Sequence, residues 1–152
     1  MSKQTEVELR DHVCDANGCW HTRVLSEAGV TADLRGNWRI LQLDQHFSKC
    51  VPPKKRCGGL CDGVAVLPNT TNNKLKLLEL KQDVTKLPAA KPQLIKGAEL
   101  VQSRLPSGFE RLDIAAELHV RTAPRSTTKL QKTIIVGKLK VPVRAFRNGE
   151  QV

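Results

Sequence analysis

The sequence predicts a single domain of the α/β class, and three observations point there. Two apolar segments of strand length flank a turn-rich gap, Cys61–Leu67 and Lys74–Lys81. An amphipathic stretch, Ala89–Leu105, follows them, and two further strand-length segments close the chain. A length of 152 residues with 39% hydrophobic residues supplies one core of ordinary size. Phe occurs three times, Trp twice and Tyr not at all, so that core must come from Leu, Val, Ile and Ala.

In chain order, the first 48 residues carry the weakest pattern. Asn17-Gly18, Gly29 and Gly36-Asn37 punctuate them, and short helices are expected around Val24–Ala28 and Trp38–Phe47. Residues 1–48 are therefore expected to be a cap and helix region integral to the domain, covering an edge or one face of a core formed by residues 49–152. Pro52-Pro53, the basic run Lys54-Lys55-Arg56 and Gly58-Gly59 mark the change between the two.

Cys61–Leu67 alternates around Val64 and Val66 as a strand does, and Pro68-Asn69 with Asn72-Asn73 predicts a turn. In Lys74–Lys81, KLKLLELK, a two-residue period puts Leu75, Leu77 and Glu79 on one side, with Leu78 and Leu80 on the other. Apolar residues on both faces suit a strand inside a sheet covered on both sides. Ala89–Leu105 places Leu94, Ala98 and Val101 at helical spacing, with Pro88 and Pro92 near its start and Pro106-Ser107-Gly108 ending it. Later strands are expected at Leu112–Arg121 and Ile134–Val143.

Charge is unevenly distributed. Residues 1–46 hold 5 Lys or Arg against 7 Asp or Glu, and the remainder hold 20 against 8, for a net +10 overall. An anionic partner is expected on the later part of the fold, nucleic acid first, because neutralising phosphates releases counterions. Lys86, Lys91 and Lys96 would form the approach to a phosphate backbone. Arg121, Arg125, Lys129, Lys132, Lys138, Lys140, Arg144 and Arg147 would extend it as a diffuse surface. The lack of interleaved aromatic residues argues against a base-stacking platform. No apolar run approaches the roughly 20 residues that cross a bilayer, and the N-terminus is polar, so a cytoplasmic, non-membrane protein is expected.

The most informative constellation is Asp62 at the start of one strand followed by Glu79-Leu80-Lys81 on the next. Glu79 and Lys81 share a strand face about 6–7 Å apart, and pairing of the two strands would bring Asp62 to it. Two carboxylates and the Leu80 backbone carbonyl can offer hard oxygens to Mg²⁺, with Mn²⁺ as a substitute. Such an ion lowers the pKa of a bound water and offsets charge on a phosphate. Lys81 can position the attacking water or stabilise the transition state. The ordinary reading is a charged strand edge, but a polar pair among apolar neighbours is costly unless paired or metal-bound.

With these residues in view, the sequence resembles the PD-(D/E)xK nuclease superfamily, with its restriction-endonuclease-like and Holliday-junction-resolvase-like cores. The matching stretches are CDGVAVLP, KLKLLELK and AAKPQLIKGAELV. The resemblance implies a three-layer α/β/α core with a central mixed sheet and a Mg²⁺-dependent deoxyribonuclease. In it Asp62 and Glu79 are the metal-binding acids, Lys81 is the catalytic lysine, and Gln93 is the helix glutamine that supports the site or contacts nucleic acid. Cys61 stands where proline is usual. A further acid often joins from the N-terminal side, and Asp44 and Glu27 are its candidates. A homodimer or a subunit of a larger complex would supply target recognition that so short a chain lacks. The alternative function is a noncatalytic nucleic-acid-binding or zinc-stapled interaction subunit.

Five cysteines, Cys14, Cys19, Cys50, Cys57 and Cys61, lie in the first 61 residues. An odd count without a secretory segment argues against a disulfide framework. With His21, His46 and the nearby His12 they could hold structural Zn²⁺ or, less simply, an iron–sulfur cluster. Burial as plain thiols is the competing reading. His119, within LDIAAELHV, is expected to be a structural histidine before it is a site residue.

Overall fold

A computed structural model of the chain describes residues 20–22, 24–27, 29–34, 36, 38–43, 61–66, 74–83, 87–104, 113–122, 131–136 and 139–147. The strands are β1 Trp20–Thr22, β2 Val24–Glu27, β3 Val30–Asp33, β4 Arg39–Gln42, β5 Gly63–Val66, β6 Lys74–Asp83, β7 Asp113–Thr122, β8 Gln131–Val136 and β9 Leu139–Arg147. Among the described residues one helix, α1 Leu87–Arg104, is seen over its length, and it lies between β6 and β7. Seven strands form a sheet in the order β1-β4-β5-β6-β7-β9-β8, and β2 with β3 makes a separate two-stranded ribbon. The sheet is mixed. β6 pairs parallel with β7 and β7 with β9, while every other pairing is antiparallel.

β6 is central because its sequence is apolar on both faces. Leu75 and Leu77 pack with Val64 and Val66 of β5 and with Ala116 and Leu118 of β7 beneath α1, which buries Ala90, Leu94, Ala98 and Val101 on that side. Leu78 and Leu80 face the other way, into a second cluster with Ile40, Ala65, Trp38, Leu34 and the ribbon residues Leu25, Val30 and Ala32. The parallel step from β6 to β7 needs a crossover, and α1 supplies it.

The expected helix and the strands from residue 61 to 122 are present, within a few residues of their expected bounds. Three expectations are corrected. Val24–Glu27 is a strand, not a helix: Leu25 is buried while Val24 and Ser26 are exposed, a two-residue period satisfied by pairing with β3 across Gly29, whose φ of 80° suits glycine. The segment beginning at Trp38 forms β4, because Ile40 and Leu41 are both fully buried on opposite sides of the sheet, which a helix cannot arrange for neighbours. The expected strand Ile134–Val143 is two strands, β8 and β9, which pair antiparallel from Val136–Leu139 outward.

The early residues thus do more than cap the core, since β1 and β4 extend the main sheet. Among the described residues no helix is long and apolar enough to cross a membrane.

Candidate metal centre

The pairing of β5 with β6 decides where the acids meet. Gly63 sits opposite Leu78 and Val64 opposite Leu77, so the next step along the antiparallel ladder sets Asp62 beside Glu79. Leu77 faces α1, and Glu79, two residues on, shares that face with Lys81. Asp62 is held by its main chain and its side chain. The Leu43 amide donates to the Asp62 carbonyl at 3.1 Å, which ties the residue to the end of β4. The Leu80 amide donates to Asp62 Oδ2 at 2.7 Å, which aims the carboxylate at β6.

Glu79 is 1% exposed, and its Oε2 has no hydrogen-bond partner. Burial, a hydrogen bond with Asp62 and the charge of Asp62 push the Glu79 carboxyl up to about 9, against the pull of Lys81 and the Leu80 amide. At neutral pH Glu79 therefore keeps its proton, because burial and the neighbouring Asp62 disfavour its ionised form. Lys81 is half-buried and close enough to act on that charge. Gln93, in the second turn of α1, also has a buried Oε1 without a partner. Leu80 directly follows Glu79 in the chain, and its N–H is engaged by Asp62.

This donor set suits a hard divalent cation. Two carboxylates that crowd each other, one with an unpartnered buried oxygen, are the groups whose desolvation and repulsion a small dication relieves. Among the described residues no group of three or more His, Cys, Asp or Glu side chains is placed to hold a metal ion, so among them a third protein oxygen would come from another kind of group, such as the Leu80 carbonyl.

Cys61 was weighed as a zinc ligand. It is buried under α1 with Sγ against the Gly63 carbonyl at 3.5 Å, and burial together with Glu79 and Asp62 pushes its thiol up, so the neutral thiol persists. Cys14, Cys19, Cys50, Cys57, His12, His46, Asp44 and Lys86 lie outside the described residues, as do the side chains of His21 and Glu27. Lys91 is half-buried and Lys96 exposed on α1. Of the C-terminal basic series, Arg121, Lys140 and Arg144 are exposed, and Arg125, Lys129, Lys138 and the side chains of Lys132 and Arg147 lie outside the described set.

His119 belongs to the opposite face. Opposite Leu80 in register and fully buried, it donates from Nε2 to Glu117 Oε1 at 3.0 Å and stacks on Phe146 at 5.3 Å. Lys76 Nζ pairs with Glu117 Oε2 at 2.7 Å and lies 4.7 Å from the Trp38 ring centre. Burial alone would raise the Glu117 carboxyl, but the His119 hydrogen bond and the Lys76 charge outweigh it and hold the group below its ordinary value. Sequence reasoning did not anticipate this ionic cluster. The signal was there: Lys76, Glu117 and His119 occupy the same parity as Leu78 and Leu80 on adjacent strands.

No family profile, curated protein or solved structure matches this chain.

Proposed function

We propose that the protein is a Mg²⁺-dependent endonuclease that hydrolyses DNA phosphodiester bonds at Asp62, Glu79 and Lys81. The observation that carries this reading is the approach of Asp62 and Glu79 across the β5–β6 ladder, with Glu79 buried and one of its oxygens unpartnered. On this reading Asp62 and Glu79 would hold the ion, with the Leu80 carbonyl as a third protein oxygen. The ion, once bound, activates a water and offsets phosphate charge. Lys81 shares the Glu79 face and holds the attacking water or the phosphate oxygen by hydrogen bonding. Gln93 orients the substrate phosphate or the ion's water through its amide, which can both donate and accept.

The net +10 charge and the exposed cations supply sequence-independent attraction for the backbone. The reading extends the observed helix-on-sheet arrangement to the three-layer α/β/α core of the PD-(D/E)xK superfamily. Mn²⁺ would substitute for Mg²⁺, and structural Zn²⁺ on the early cysteines is compatible with it.

Purified protein incubated with labelled linear, branched and single-stranded DNA should give products only with Mg²⁺ or Mn²⁺. Asp62→Ala or Lys81→Ala should lower the rate by at least about 10²-fold. Products that survive both substitutions would place the chemistry elsewhere. Salt-sensitive binding of the same DNA without any cleavage would favour a noncatalytic binding subunit.

A further inference from the structure

The contact behind the acid pair has a shape that few residues could provide. Cys61 immediately precedes Asp62, is 2% exposed and lies under the middle of α1. A Cβ added at Gly97 would stand 2.3 Å from Cys61 Sγ and 3.5 Å from Cys61 Cβ, with Leu77 Cδ2 at 3.8 Å. The first distance is a severe overlap, whereas the other two are ordinary contacts. The helix backbone therefore rests directly on the thiol, and a glycine is needed there even though glycine costs a helix interior about 1 kcal/mol relative to alanine.

The seat connects site residues at both of its ends. On the strand side the next residue is Asp62, whose carboxylate bonds to the Leu80 amide next to Glu79. On the helix side, Gln93 precedes Gly97 by four residues and so lies on the same side of α1, one turn nearer its start. Leu94, Ala98 and Val101 bury the rest of that side. The Gly97–Cys61 contact sets a hard stop.

We propose that Gly97 and Cys61 are paired positioning residues, a size-matched seat that fixes the height of α1 over the sheet and with it the placing of Asp62 and Gln93 around Glu79. This rests on the metal-site reading for its functional consequence, though not for its geometry. Cys61 has a single side-chain torsion inside a packed interior. A methyl group at position 97 is therefore relieved by turning Sγ into another rotamer within the packed interior, by lifting the helix, or by displacing the strand that carries Asp62, and on this proposal the helix or the strand gives way.

The test is a compensating pair. Gly97→Ala should shift the Leu80 amide resonance, which reports the bond to Asp62, and lower kcat with Mg²⁺ by roughly 10²-fold at little change in KM, the scale expected when reacting groups are displaced by about 1 Å. Cys61→Ala in the same chain removes Sγ and leaves the 3.5 Å contact, so the double variant should recover both the resonance and most of the rate. Cys61→Ala alone removes the stop and leaves a gap under α1, so it should move both readouts, though less than Gly97→Ala does.

If Gly97→Ala fails to fold, the double variant still decides, because only a size-matched seat predicts that it folds with the Leu80 amide near its original position. A Gly97→Ala protein with unaltered Leu80 amide and kcat would overturn the proposal, as would a double variant no better than Gly97→Ala. If the parent protein neither cleaves DNA nor binds Mn²⁺ yet the Leu80 amide shifts and recovers as described, the nuclease reading fails and the seat stands.

Discussion

Glu79 makes the chemistry of this site depend on pH in a direction that can be worked out. Its carboxyl rises from an ordinary 4.5 to about 9 in the folded chain, so the folded state holds a proton that the unfolded chain releases. The stabilising contribution is complete below the ordinary value and declines as pH rises, until the folded value is passed near 9. Glu117 has the opposite sign: held below its ordinary value, it stabilises above that value and loses its contribution as pH falls through the lowered one.

Urea unfolding of the metal-free protein between pH 5 and pH 9 should therefore show a downward slope that Glu79→Gln flattens, as follows from linkage of proton binding to folding. An unchanged slope in that variant would mean that Glu79 is ionised throughout. On the metal-site reading a dication would displace the Glu79 proton, so apparent Mg²⁺ affinity by calorimetry should increase with pH over the same interval. At this scale the sequence was informative about which side chains meet. Asp62, Glu79 and Lys81 were identifiable from parity and spacing, since alternation along β6 is a local property. In the Lys76–Glu117–His119 cluster the same parity puts Glu117 and His119 on one face, whereas bringing Lys76 beside them takes the parallel register of β6 with β7.

The elements that were legible are the long ones. β6 and β7 are ten-residue runs apolar enough to be buried on both faces, and α1 keeps a helical rhythm over 18 residues. The short strands β2 and β4 run for four residues each, too few to separate a strand from one helical turn by pattern, and their partners decide the matter. β5 is similarly brief but sits where close approach matters. A Cβ at Gly63 would lie 2.9 Å from Leu25 Cδ2, 3.2 Å from Ile40 Cγ2 and 3.3 Å from the Leu41 carbonyl. The ribbon and β4 both press on that point. Gly63→Ala should accordingly cost about 1–3 kcal/mol of stability, the usual range for overpacking, measured by the shift of the urea midpoint at constant slope. A variant as stable as its parent would show that the ribbon is free to withdraw.

For the whole molecule, the described architecture is a mixed seven-stranded sheet with a helix on one face and a two-stranded ribbon on the other. An α/β/α core asks for more helix than the 18 residues of α1 in a chain of 152. Far-ultraviolet circular dichroism should thus report a helical content clearly above that fraction if the superfamily reading holds, and a value at or below it would count against the three-layer arrangement. The hydrogen bond from the Leu43 amide to the Asp62 carbonyl has a separate implication. It pins the end of β4 to the residue that carries the first acid. Any displacement of that end of β4 would therefore pass through one main-chain bond to Asp62, and from its carboxylate onward to the Leu80 amide.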